Sequence, residues 1–509
     1  MKVSVTGAQM KQIDEDTIGR IGIPSMVLME RAALAVVEAV EQVADGLRRP
    51  ARVWVACGTG NNGADGIAVG RMLHGRGYEV TVLLAGNPDH ATPEHRSQQA
   101  IAERLGVTLV EYHDFIPGSC DIIVDAVFGI GLGRNVEGEY REFLKLLADQ
   151  ETKHVVAVDI PSGIHSDQGQ VMGIALPAEV TVTFGYLKTG LLLYPGKSYA
   201  GRVTVADIGF SDVSLKRAGW DMLVPEREDL GRLPVRRADS NKGTYGKLLF
   251  IAGSAGMSGA AYLGALAAYR AGAGLVKVLT VEENRQILQS QLPEAIVQTY
   301  ACEAALEAAP DFAEFIEAQC GWATAVVLGP GLSQEPYVRN LVELVLANAY
   351  VPIVLDADAL NTIAAHTSLT GYYTENIVIT PHIGEMSRLV GKTIPEIKAQ
   401  AAAVAREYAA SHGITCVLKD AVTVTADREG IAYVNSSGNS GMAKGGSGDV
   451  LAGVIGSLLA QGAEPSEAAA LGVCLHGLAG DAAAAALGKR SILAHEIADH
   501  IPVGLSGAE

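Results

Sequence analysis

From about residue 52 onward, short β-branched and apolar runs alternate with longer Ala-rich stretches whose apolar positions recur at helical spacing. The runs at 52–56, 79–84, 122–126, 155–160 and 179–184 predict strands, and the stretches at 66–75, 93–105 and 139–149 predict helices between them. The second half repeats the style without repeating the sequence. Strands are expected at 247–251, 275–280, 325–328, 353–355, 377–379 and 415–418, and helices at 259–271, 338–348, 393–411, 450–460 and 466–486. Such alternation implies an α/β protein whose parallel sheets are covered on both faces and bind ligands at the carboxyl ends of their strands.

Between the halves the pattern breaks. Residues 210–238 mix charges with Pro225 and Pro234 and have weak periodicity, so a linker is expected near 212–228, with domains at 1–215 and 225–509. A chain of 509 residues is too long for one ordinary core, and its 49% hydrophobic content suffices for two.

Composition narrows the function. A net charge of −18 argues against nucleic acid or an anionic membrane surface as partner, so any phosphate must be bound locally by backbone and a few Lys or Arg. Six scattered cysteines without a CxxC pair fit neither zinc nor a disulfide scaffold and read as a reduced, cytoplasmic protein. Asp14, Glu15 and Asp16 precede any sustained apolar run, so no secretory signal is expected, and the apolar stretch at 450–460 is too short to span a bilayer.

Glycine-rich strand ends carry the candidate chemistry. In the first half Gly58, Gly60 and Gly63 formally satisfy GxGxxG, but the second strand ends in LLAGN without the carboxylate that a dinucleotide-binding domain places on the ribose. Asn61 and Asn62 instead supply carboxamides at the strand tip. Asn62, Asp125 and Ser162 lie at three strand ends and are short oxygen ligands suited to a hard cation such as K⁺, though each alone also reads as a turn or cap residue.

In the second half no GxxxxGK[ST] is present, which excludes a P-loop. The best phosphate nest is GGSGD at 445–449, running directly into an apolar helix. Its glycines let backbone N–H groups converge, and the helix dipole is expected to hold Asp449 ionised, so that it can act as a base beside a bound phosphate or simply cap the helix. Further motifs are KGTYG at 242–246, GPGL at 329–332, DADAL at 356–360, TPHIGE at 380–385 and LKDAVT at 418–423.

Together, LMER at 28–31, NNGADG at 61–66, VDAVFGIGLGR at 124–134 and DIPSG at 159–163 resemble the Rossmann-like NAD(P)H-hydrate epimerase domain of the N-terminal YjeF type. The resemblance assigns K⁺ to Asn62, Asp125 and Ser162. It assigns substrate contacts to Asn61, Asn62, Gly63, Ala64 and Asp65, to Gly129, Ile130, Gly131, Leu132, Gly133, Arg134 and Asn135, and to Asp159. Asp159, held by the turn at Pro161, is the candidate catalytic carboxylate for reversible loss of the C6 hydroxyl. One departure is Ala64, where the family usually has a second Gly.

The motifs of the second half, in their order, resemble the ADP/ATP-dependent NAD(P)H-hydrate dehydratase branch of the ribokinase-like superfamily, an αβα fold. His382 and GSGD, where sugar kinases tend to carry Asn and GAGD, favour this branch. The resemblance places adenine nucleotide on Lys419, Asp420, Ala421, Val422, Thr423, Gly445, Gly446 and Gly448, and hydrate on Ala260, Gly331, His382 and Asp449, the last as base. It implies ADP as co-substrate and Mg²⁺ on the phosphates, with Asp356 and Glu385 as outer partners of that ion. A bifunctional enzyme repairing hydrated NADH and NADPH is therefore expected, as a homo-oligomer. Two other readings stay open: a ribokinase-type small-molecule kinase with an accessory domain, and a catalytically dead N-terminal scaffold.

Overall fold

Strands buried on both faces show continuous apolar runs rather than alternation, and this chain builds two such sheets. The computed structural model describes residues 1–47, 50–152, 154–307 and 310–506; residues 507–509 of the expected second domain lie outside the described residues. The chain divides into two compact units, Val3–Asp221 and Met222–Glu509, the second taking in Met1–Lys2.

In the N-terminal unit seven strands pair in parallel, in the spatial order Thr108–Glu111, Glu79–Leu84, Arg52–Cys57, Ile122–Ala126, Val155–Val158, Val180–Phe184 and Arg202–Ala206. Val53, Val55 and Cys57 pack with Val36, Val40 and Ile67 on the helices Ser25–Ala44 and Asn61–Gly75. Trp54 and Ala56 face the other way, onto Phe143, Leu144 and Leu147 of the helix Gly138–Ala148. Asn61–Gly75 starts five residues earlier than its apolar period suggests, so NNGADG is already helix. A separate short ladder pairs Ser4 and Val5 with Leu187 and Lys188.

The C-terminal unit has the order Ile296–Tyr300, Leu275–Val281, Lys247–Ile251, Ala325–Leu328, Ile353–Leu355, Ile377–Ile379 and Thr415–Leu418, all parallel. Val424–Ala426 and Ala432–Val434 then continue it antiparallel, and Met222–Val224 pairs with the latter. The helices Ser258–Arg270 and Ser447–Ala460 cross with little between them: a Cβ on Gly453 would lie 2.1 Å from the Gly264 carbonyl.

Three expectations need correction. The stretch at 393–411 is two helices, Ile394–Ala399 and Ala401–His412, because Gln400 at φ −138° leaves the helical region. The expected linker carries the helix Asp212–Ala218 and the strand Met222–Val224. The apolar segment of membrane-spanning length is Pro465–Leu487, 23 residues long and not the shorter stretch at 450–460; its Ala468, Leu471, Leu475 and Ala479 are buried in the core beside the sheet.

Candidate active sites

The N-terminal unit holds a cavity of about 670 Å³. Its wall joins the carboxyl ends of four strands to residues of the helices Gly7–Asp16 and Ser25–Ala44. Of the residues expected there, Asn61, Asn62, Asp65, Gly129, Ile130, Gly131, Leu132 and Asp159 line it. Gly63 and Ala64 are buried behind the wall, while Gly133, Arg134 and Asn135 are exposed and not part of it. Gly63 cannot be replaced, since a Cβ would lie 1.8 Å from the Gly58 carbonyl oxygen. Ala64 keeps helical geometry and is fully buried, so its methyl group is accommodated.

Asp159 follows Val158 and turns inward at φ +66°, a left-handed conformation that few non-glycine residues adopt. Its carboxylate is anchored by neighbours other than the Pro161 turn. Oδ1 accepts from Lys188 Nζ at 2.6 Å, Thr183 Oγ1 at 3.0 Å and the Phe184 N–H at 3.2 Å. Asp65 and Asp14 are half-buried in the same wall. Burial, then Asp159 and Asp14, raise the Asp65 carboxyl well above its usual range; burial, then Glu15, Glu94 and Asp159, raise Asp14.

Two of the three candidate oxygen ligands, Asp125 and Ser162, meet behind this wall, while Asn62 stands in it. Asp125, fully buried, accepts the Ser162 hydroxyl on Oδ1 and the Ser162 N–H on Oδ2, at 2.7 Å. Ser162 Oγ in turn accepts the Phe128 N–H at 2.9 Å. Asn62 lies against Gly129, and its carboxamide Nδ2 is buried without a hydrogen-bond partner. Burial pushes the Asp125 carboxyl up to about 6, with the Ser162 bonds opposing. The buried Asp125 carboxyl and the Ser162 hydroxyl supply oxygens of the kind a monovalent cation takes, whereas the orphaned Asn62 Nδ2 is a donor and calls for an acceptor.

In the C-terminal unit Gly446 takes φ +92° immediately before the helix Ser447–Ala460, and Asp449 falls in the first turn instead of at the cap. Ser447 N–H donates to the Lys444 carbonyl at 3.3 Å, and the N–H groups of Gly448 and Asp449 are the donors of that turn open to an anion. Asp449 is crowded, contrary to the expectation that the dipole holds it ionised. Burial, then Asp356, lift its carboxyl to about 7; Lys419 opposes them and Asp358 adds to the rise.

Lys419 Nζ donates to Asp356 Oδ1 at 2.7 Å, and a Cβ on Gly448 would lie 3.4 Å from the same ammonium. Thr380 Oγ1 donates to that oxygen as well, at 2.7 Å. Burial works to lower Lys419, but Asp356, Glu385 and Asp449 outweigh it and hold the ammonium above its ordinary value. His382 forms a backbone bridge to Lys419 and caps the helix Ile383–Val390, its Nδ1 accepting from Gly384 N–H at 2.9 Å and Glu385 N–H at 3.3 Å. Gly331 packs on Ala260, and nearby Ser333 N–H donates to Asp358 at 2.8 Å. Asp420 pairs with Lys398 at 3.4 Å, while the Thr423 carbonyl accepts from Asn435 N–H at 3.0 Å. Gly445 is exposed, with open space around it.

Among the described residues no group of three or more His, Cys, Asp or Glu forms a metal site. Asp356 Oδ1 is engaged by Lys419, and Glu385 Oε2 by the His382 N–H. KGTYG is not brought to this site. It lines a second cavity, of about 410 Å³, with residues 459–465 at the far end of the helix that starts beside Asp449.

Sequence reasoning missed Lys188, Thr183 and Asp14. A single lysine in a two-residue strand and an aspartate in an amphipathic helix carry no motif; only the fold places them on Asp159.

The folds and sites define a two-domain α/β enzyme with a ribokinase-like second domain. The family model described as NAD(P)H-hydrate dehydratase matches residues 248–503, and that of the YjeF-related protein N-terminus matches 25–190. The chain is 38% identical over 99% of its length to the bifunctional NAD(P)H-hydrate repair enzyme Nnr of Moorella thermoacetica, covering 97% of that protein. It is 37% identical over 94% of its length to its namesake in Escherichia coli, covering 89%. The crystal structure of ADP/ATP-dependent NAD(P)H-hydrate dehydratase from Bacillus subtilis, co-crystallised with ATP/Mg²⁺, matches with TM-score 0.50 and 34% identity, over 56% of this chain and 99% of that one. The chain belongs to the family of bifunctional NAD(P)H-hydrate repair enzymes.

Proposed function

We propose that this chain repairs hydrated NADH and NADPH in two steps, the N-terminal unit interconverting the R and S hydrates and the C-terminal unit dehydrating the S form with ADP. The observation that carries this reading is the contrast between two carboxylates in one chain, one after a strand and one in the first turn of a helix. Asp159 is clamped by a buried ammonium, while burial, then Asp356, lift the Asp449 carboxyl to about 7.

In the first step the ring nitrogen lone pair expels the C6 hydroxyl, which leaves as water after gaining a proton. Water then adds to either face of the iminium and loses a proton. Asp159 stabilises the cation, and the carboxyls of the same wall handle the protons. Asn62, Asp125 and Ser162 would hold K⁺, which supplies fixed positive charge under the glycine loop.

In the second step Asp449 takes the proton of the C6 hydroxyl, whose oxygen attacks the terminal phosphoryl of ADP and displaces AMP. Loss of phosphate from C6 and of a proton from C5 restores the double bond. A base titrating near 7 suits this role at neutral pH. The Gly445–Gly448 turn and Lys419 hold the phosphates in line, Lys419–Thr423 border the nucleotide, and His382, Ala260 and Gly331 border the hydrate. Mg²⁺ enters on the nucleotide, where it screens the phosphate charge.

The test gives mixed R and S hydrate to the purified chain with ADP or ATP and follows the reduced-nicotinamide absorbance. Full recovery with release of AMP and phosphate is expected. A stable phosphorylated product would mean a kinase, and recovery stopping at the S fraction would mean an inactive first domain.

A further inference from the structure

Lys188 takes no part in the chemistry above, yet it lines the N-terminal cavity and is fully buried. Each ammonium hydrogen has an acceptor: Asp159 Oδ1 at 2.6 Å, Thr183 Oγ1 at 3.0 Å and the Phe184 carbonyl at 2.8 Å. Burying an ammonium is costly, and an apolar side chain of similar length would fill the same space. The charge is therefore kept for what it touches. A lysine with all three hydrogens engaged is also no proton donor, so its effect is one of placement and charge.

The bonds on Asp159 are one-sided. Oδ1 takes Lys188, Thr183 and the Phe184 N–H, which leaves Oδ2 for the cavity that Asp159 lines. The backbone at φ +66° aims the side chain from a conformation that costs about 1 kcal/mol or more, and the surrounding bonds hold it there. Epimerisation needs this. The hydroxyl departs from one face and returns to either, so the carboxylate must stabilise the cation without collapsing onto it as a tight ion pair. An adjacent ammonium shares its charge and stops it from turning.

We propose that Lys188 is a positioning residue for the epimerisation, an internal counter-ion that clamps Asp159 by Oδ1 and leaves Oδ2 as its working oxygen. This rests on the epimerase reading given above and extends it to a residue outside the four motifs that carry the resemblance.

The experiment uses the full chain, whose dehydratase reports folding of the rest of the molecule in the same cuvette. Lys188→Met is expected to lower kcat for R-to-S conversion by about 10²–10³-fold with KM changed by less than about threefold, and to leave ADP-driven loss of the S hydrate intact. In an Asp159→Asn background the same change should cost less than about threefold, because its effect runs through that carboxylate. Equal losses in both backgrounds would mark a merely structural lysine and overturn the proposal, as would a Lys188→Met chain with normal kcat. Should Lys188→Met unfold the unit, Thr183→Val keeps both charges and removes the shared hydroxyl; about tenfold loss is expected, and none would overturn the clamp. Asp159→Asn epimerising at the normal rate would instead remove the epimerase assignment of Asp159 itself.

Discussion

Lys419 Nζ lies 2.7 Å from Asp356 Oδ1, where the strand ending at Leu418 meets the first turn of the helix that carries Asp449. That pair sets the electrostatics of the second site. Burial and then Asp356 drive the rise of Asp449, and the ammonium opposes it.

Removing the cation should therefore move the base. Lys419→Met is expected to shift the acid limb of the dehydratase kcat/KM profile upward from about 7, and to weaken nucleotide binding. The pH–rate profile of ADP-driven recovery checks the first, and calorimetric titration with ADP the second. An unmoved acid limb would assign that limb to another group.

Asp449→Asn should bind nucleotide and hydrate but lose turnover by about 10³-fold or more. It should also stabilise the unit. The folded-state value near 7 lies above the ordinary 3.8, so the folded chain holds the extra proton between these values. Stability falls as pH rises through that window, and the penalty is complete above about 7. Allowing for partial exposure, removing it is worth about 1 kcal/mol, or about 2–4 °C in Tm at pH 8, with no gain below pH 4. Thermal melts at the two pH values decide this.

Much of this second site was legible in sequence. GGSGD announces a nest because glycine alone takes φ +92° freely and a helix follows at once. What makes Asp449 a base was not legible, since Asp356 and Asp358 act from a strand end about ninety residues upstream. Two short strands also escaped: Val424–Ala426 and Ala432–Val434 are not the unbroken Ile, Val and Leu runs that mark the equally short 353–355 and 377–379. The parallel strands buried on both faces were found because that burial writes itself as an unbroken apolar run, whereas the partly exposed Arg202–Ala206 and Ile296–Tyr300 were not. In the first site the glycine loop was readable and its clamp was not. Lys188 reaches Asp159 through the pairing of Thr183, Phe184 and a two-residue strand, which only the folded chain assembles.

The proposed cation site makes a separate prediction. K⁺ in place of tetramethylammonium should raise the melting temperature of the N-terminal unit and its epimerase rate, and Asp125→Ala should abolish both responses. A ligand at 100 times its Kd adds about 2.7 kcal/mol. Equal melting in the two salts would remove K⁺ from Asn62, Asp125 and Ser162.

The glycine loop gives a paired test. Gly63→Ala forces a methyl group onto the Gly58 carbonyl and should abolish epimerisation or fold of the unit. Ala64→Gly, which restores the residue usual in the family, should leave the rate within about twofold and cost about 1 kcal/mol of helix stability. Measured rates and melts of the two variants separate steric from catalytic demands on the loop.

The helix cap made by His382 decides which way its ring can communicate. With Nδ1 accepting two backbone N–H groups, and burial followed by Lys419 and Arg388 lowering its proton affinity, the neutral ring carries its hydrogen on Nε2. That hydrogen lies toward Glu385 Oε1, 3.4 Å from Nε2, so the ring meets a neighbouring molecule as a donor shared with that carboxylate. It can greet an amide or ribose oxygen, and it turns away a group that has only hydrogens to offer. A side chain enlisted to finish a helix thus becomes a filter on the orientation of the molecule next to it.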